Sequence, residues 1–172
     1  MTEIAIYVEG GGETAQQRAE LRNGLDRLLD VQKQAARTKR LGWKLVPSGG
    51  RGAAYQDFIN AVQQAGEGTL CILLVDSEEG LSPESPVTAD ETPEKARQRE
   101  LIDAKTRLDH LVRRDRWNLD TILPEQVHLM VQCMETWLVA DPDRMAVVYG
   151  DNFRPALLPA RDNLEEEPKL SV

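Results

Sequence analysis

The run Leu70-Cys71-Ile72-Leu73-Leu74-Val75 is apolar at every position and passes directly into Asp76-Ser77-Glu78-Glu79-Gly80. A strand that is apolar on both faces has to be covered on both, as in a parallel sheet between layers of helices. Sheets of that kind place ligands just beyond the carboxyl ends of their strands. Asp76, Glu78 and Glu79 fall at such an end. Carboxylates gathered there repel one another unless a cation is present, and oxygen donors suit Mg²⁺ or Mn²⁺. The plain alternative is a solvated acidic loop after a core strand.

The remainder of the chain alternates in the same sense. Ile4-Ala5-Ile6-Tyr7-Val8 reads as a first strand, stopped by Glu9-Gly10-Gly11-Gly12, with Glu13 close behind. No Gly-Lys-Ser/Thr follows, so this is not a phosphate-binding P-loop, and the glycine spacing is not that of a dinucleotide fold. A helix is predicted over 14–37, with Leu21, Leu25, Leu28 and Leu29 on one stripe and Thr14 or Glu13 as its cap. Residues 42–47 read as a second strand ending in Ser48-Gly49-Gly50-Arg51-Gly52. A helix over 53–65 follows, carrying Tyr55, Phe58, Ile59 and Val62 at helical spacing. After the third strand, 79–93 reads as a proline-containing loop or lid. A helix is predicted over 93–114, with Leu101, Ala104, Leu108, Leu111 and Val112 inward and His110 packed beside them.

Residues 126–134 read as a fourth strand, with His128 and Met130 on one face and Val127, Leu129 and Val131 on the other. It runs into Glu135. A last short helix opens at Asp141-Pro142, with Met145, Val148 and Tyr149 facing in. The β-α-β-α-β-α-β-α order predicts an α/β fold of Rossmann type, a parallel sheet of about four strands with helices on both faces. Residues 1–150 form the expected domain, and 151–172 an acidic, proline-containing tail.

Length and charge narrow the function. A chain of 172 residues suffices for one domain with its own core. Nothing reads as a signal peptide or a membrane span. Cys71 and Cys133 lie within apolar runs and read as buried thiols suited to a reducing cytoplasm. The net charge of −8 argues mildly against a free-standing nucleic-acid binder, but the charge is partitioned. Residues 18–51 hold nine Lys/Arg against three Asp/Glu, and 95–116 hold eight against four. Residues 76–94 hold seven acids and no base. Basic helices on either side of an acidic cluster suit a phosphodiester substrate held at a metal site, although long helices carry solvated Lys and Arg in any case.

The acids at three strand ends, Glu9 with Glu13, Asp76 with Glu78, and Glu135, resemble the toprim domain of topoisomerases, primases and overcoming-lysogenisation-defect nucleases. Val8-Glu9-Gly10-Gly11-Gly12-Glu13 is similar to the Glu-Gly-x-x-Glu form of the nuclease branch. Val75-Asp76-Ser77-Glu78 stands where that family has Asp-x-Asp, with a longer glutamate as the second acid. The segment Leu129-Met130-Val131-Gln132-Cys133-Met134-Glu135-Thr136-Trp137-Leu138-Val139-Ala140-Asp141 resembles a toprim-like group associated with bacterial defence. The resemblance covers 1 to about 150.

It implies Mg²⁺-dependent (or Mn²⁺-dependent) phosphodiester cleavage of DNA or RNA in antiphage defence, in the cytoplasm, beside an ABC/SMC-like ATPase. Asp76 and Glu78 would bind the metal. Glu9 would share it or act as general acid/base, and Glu13 and Glu135 would hold a second ion or orient the first. Arg51 and Lys44 are the expected phosphate-clamping groups near a strand end. The alternative is a non-catalytic toprim-like subunit that binds and completes an ATPase complex. A homo-oligomer remains open in either case.

Overall fold

The computed structural model describes residues 3–66, 68–79, 81, 92–131, 134, 142–150 and 153–158. The expected α/β architecture is present. Strands β1 (Glu3–Val8), β2 (Gly42–Pro47), β3 (Thr69–Asp76) and β4 (Val127–Met130) form one sheet in the order β2-β1-β3-β4. β1 pairs in parallel with both neighbours, Val8 lying opposite Pro47 on one side and Leu74 on the other. The helices are α1 (Ala15–Leu28), α2 (Asp30–Thr38), α3 (Arg51–Gln64), α4 (Pro93–Asp115) and α5 (Pro142–Tyr149). Among the described residues no helix is long and apolar enough to cross a membrane.

The chain divides into two compact units. One takes the described residues up to Val75 and from Thr121 to His128; the other takes those from Asp76 to Asp120 and from Leu129 onward.

In the first unit β1 crosses to β2 in one direction, and β2 crosses back past β1 to β3. Right-handed crossovers therefore put α1 and α2 on one face of the sheet and α3 on the other. The side chains follow. Arg22 of α1 donates to the Leu45 carbonyl at 3.1 Å. On the opposite face Phe58 of α3 is fully buried and meets Tyr7 edge-on at 6.4 Å. Burying a phenylalanine contributes about 2–3 kcal/mol, and the edge-to-face pair adds about 1 kcal/mol. Val8, Leu73 and Val75, all fully buried, supply the middle of the core.

The sequence predicts one helix over 14–37, and two are found. α1 ends at Leu29 (φ −95°, ψ 22°), from which α2 restarts. Asp26 ties both sides of the break, accepting from Trp43 Nε1 at 3.1 Å and pairing with Lys33 at 2.9 Å. Leu28, expected on the buried stripe, is 51% exposed. Thr14, not Glu13, caps α1, in a reciprocal box with Gln17.

In the second unit α4 buries a narrow stripe of Asp103, Ala104, His110 and Leu111. Leu101 and Val112, expected inward, are 49% and 40% exposed. A helix buries only what its partner covers, and His110 occupies the covered stripe by bonding to backbone. β4 also departs from simple alternation. Met130 is fully buried while His128 is exposed and bonds locally to the Glu125 carbonyl. Glu135, Cys133, Asp141 and residues 80 and 82–91 of the loop expected over 79–93 lie outside the described residues, as do the side chains of Val148 and Tyr149.

Candidate metal centre

The carboxyl ends of β1 and β3 are adjacent because the two strands pair in register, and the Glu9 amide continues the ladder by donating to the Leu74 carbonyl at 3.0 Å. Glu9 is thus held one residue past β1, beside the last residues of β3. Among the described residues one acidic group could hold a metal ion. Glu9, Asp76 and Glu78 each offer a carboxylate oxygen, and these atoms all lie within 4.8 Å of one another. All three residues are partly buried. Their donors are carboxylate oxygens, the kind that a divalent cation such as Mg²⁺ takes.

Glycines shape the approach on the β1 side. Gly10 and Gly49 exchange backbone hydrogen bonds of 2.6 and 2.9 Å, pinning the turn after β1 to the turn after β2. Gly11 has φ +87°, and a Cβ there would stand 3.1 Å from Pro47 Cβ and 3.2 Å from Arg18 Cα. Only glycine fits both the dihedral and the space.

The same pinning brings α3 to the site. Arg51, expected in a turn, is the first residue of α3, and its Nη1 lies 3.1 Å from Glu9 Oε2. Odd-numbered β1 residues face α3, as Tyr7 does, which is why the start of α3 reaches Glu9. The guanidinium offsets part of the negative charge at Glu9.

On the β3 side the turn after Val75 is anchored by backbone. The Met134 amide donates to Asp76 Oδ1 at 2.9 Å. The Ser77 amide donates to the Met130 carbonyl at 2.9 Å, and Ser77 Oγ to the Glu79 carbonyl at 2.6 Å. Glu78 takes a left-handed φ of +66°.

The expected site residues therefore separate. Glu9, Asp76 and Glu78 come together, with Arg51 against Glu9. Glu13 is exposed and stands outside the acidic group. Lys44 is exposed in mid-strand, opposite Ala5 and three residues before the end of β2, so it is not at the strand edge where a clamp was expected. Glu135 lies outside the described residues. The Arg51–Glu9 pair and the bonding of His110 were not anticipated. A cationic residue just after the glycines of a neighbouring strand was the available signal for the first.

Residues 8–169 match the family model described as a domain of unknown function, DUF4276, and the chain belongs to that family. No curated protein and no solved structure matches it.

Proposed function

We propose that this protein is a Mg²⁺-dependent nuclease of the toprim type that cleaves phosphodiester bonds of DNA or RNA, in antiphage defence beside an ABC/SMC-like ATPase. The observation that carries the reading is the convergence of Glu9, Asp76 and Glu78 at the carboxyl edge of adjacent parallel strands. Their donors are hard oxygens, the kind Mg²⁺ and Mn²⁺ take. A bound divalent ion supplies a Lewis acid that draws charge from the phosphoryl oxygens.

The chain's own residues do the rest. Asp76 and Glu78 hold the ion, and Asp76 keeps its direction because the Met134 amide occupies its Oδ1. Glu9 shares the ion or moves a proton at the scissile oxygen. Arg51 offsets the Glu9 charge, and its guanidinium is the kind of group that suits a phosphate. The basic residues of α1, α2 and α4 supply the longer-range attraction for a polyanion.

One observation favours a second reading. Glu9 already has an ion-pair partner in Arg51, so a cation is not its sole source of compensation. A chain of this kind can serve as a non-catalytic subunit that completes an ATPase complex.

Nicking of supercoiled plasmid with Mn²⁺, against EDTA and against Glu9→Ala, separates the two. The nuclease reading expects nicking in Mn²⁺ that is lost in EDTA and in Glu9→Ala. Nicking that survives Glu9→Ala would overturn the assignment, and none with the ATPase partner present would favour the subunit reading.

A further inference from the structure

We propose that His110 is a positioning residue: from α4 it fixes the Asp76-Ser77-Glu78 turn so that the two carboxylates converge, and it thereby sets the affinity of the site for a divalent cation. The inference rests on the metal reading above. His110 is 3% exposed, and its Nε2 lies 2.9 Å from the Ser77 carbonyl oxygen. A carbonyl only accepts, so Nε2 carries the proton and donates. Ser77, between the two acids, is fully buried.

The turn needs such a restraint. Glu78 holds φ +66°, a conformation that a non-glycine residue leaves unless its surroundings impose it. Ser77 is fixed by its amide to Met130 and by its hydroxyl to the Glu79 carbonyl. The His110 bond fixes its remaining backbone group, and it comes from 33 residues away in sequence. Ser77, between Asp76 and Glu78, is thereby held through its amide, its hydroxyl and its carbonyl.

The choice of residue is informative. His110 Nδ1 is buried and has no hydrogen-bond partner among the described residues. An apolar side chain would fill a packed position without leaving that atom dry. A histidine here is explained by what Nε2 does. Bonds that orient metal ligands without touching the metal typically change affinity about 10–100-fold when removed.

The test compares His110→Leu, which fills the space without a donor, with His110→Gln, whose amide nitrogen reaches the Nε2 position. Mn²⁺ affinity is measured by calorimetry, and backbone hydrogen exchange is followed at residues 77–79 and at β1. The proposal expects His110→Leu to weaken Mn²⁺ binding about tenfold or more and to speed exchange at 77–79 while leaving β1 protected. It expects His110→Gln to restore both. Wild-type affinity in His110→Leu, or His110→Gln behaving as His110→Leu does, would overturn it. If His110→Leu does not fold, His110→Asn replaces it, since its shorter amide cannot reach Ser77 and the same loss is expected. Absence of Mn²⁺ binding in the wild type would overturn the metal reading and the affinity claim with it. The exchange data would still decide the positioning claim, which unchanged exchange at 77–79 in His110→Leu overturns.

Discussion

Arg51 Nη1 stands 3.1 Å from Glu9 Oε2, with the two side chains 14% and 16% exposed. One residue begins α3 and the other follows β1. Their pairing joins the first glycine turn to the start of a helix on one face of the sheet. It also sets a positive charge against Glu9, one of the three acids of the candidate metal group.

Arg51→Gln removes that charge and keeps a hydrogen-bonding group. In EDTA the variant is expected to be less stable by about 1–2 kcal/mol, because a largely buried carboxylate loses its partner. Saturating Mn²⁺ should recover part of the loss. Urea midpoints measured in EDTA and in Mn²⁺ check this, and the gap between them should be wider in the variant than in the wild type. An unchanged gap would mean that Arg51 and the ion do not share the Glu9 charge.

Gly11→Ala tests the turn that delivers Glu9. The new Cβ would sit at a φ of +87° and 3.1 Å from Pro47 Cβ. The expected cost is about 1–2 kcal/mol from the left-handed backbone and the crowding together. Chemical denaturation reads it directly, and a change below a few tenths of a kcal/mol would show that the turn is not held as described.

Alkaline pH should destabilise the protein through Cys71 and Tyr7. Burial pushes the Cys71 thiol above its ordinary range, helped by the negative charge of Glu3. Burial also raises the Tyr7 phenol, with Cys71, Asp57 and Glu3 adding to it. A raised folded pKa means that the folded state keeps its proton longer than the unfolded chain does. Stability is therefore fully present below the unfolded thiol value of about 8.5 and is lost as pH rises toward the higher folded value. Urea midpoints between pH 7 and pH 10 should fall, and the first part of the fall should shrink in Cys71→Ala. An identical decline in that variant would contradict the assignment to the thiol.

Much of this architecture is legible in the residues. The apolar run of β3 predicts a parallel sheet with its carboxyl edge at Asp76, and Leu73 and Val75 are fully buried, although Leu70 at the start of the run is 39% exposed. Glu9 and Asp76 were accessible for the same reason, since both end strands whose carboxyl edges must coincide. Periodicity carried less on α4, where Leu101 and Val112 fit an apolar stripe but the covered face includes Asp103 and His110. A helical pattern records which residues can be buried, whereas the packing partner decides which are. The break at Leu29 was not legible because no glycine or proline marks it; it depends on Asp26 reaching both Trp43 and Lys33. Pairings across long separations, such as Arg51 with Glu9, leave no local pattern.

The central claim is that Glu9, Asp76 and Glu78 form one divalent-cation site, and calorimetric titration of the intact chain with Mn²⁺ tests it most directly. The account predicts saturable binding in the wild type, a loss of affinity of about tenfold or more in Asp76→Asn, and wild-type binding in Glu13→Gln, because Glu13 stands outside the group. No heat of binding in the wild type, or an Asp76→Asn variant that binds as the wild type does, would contradict it.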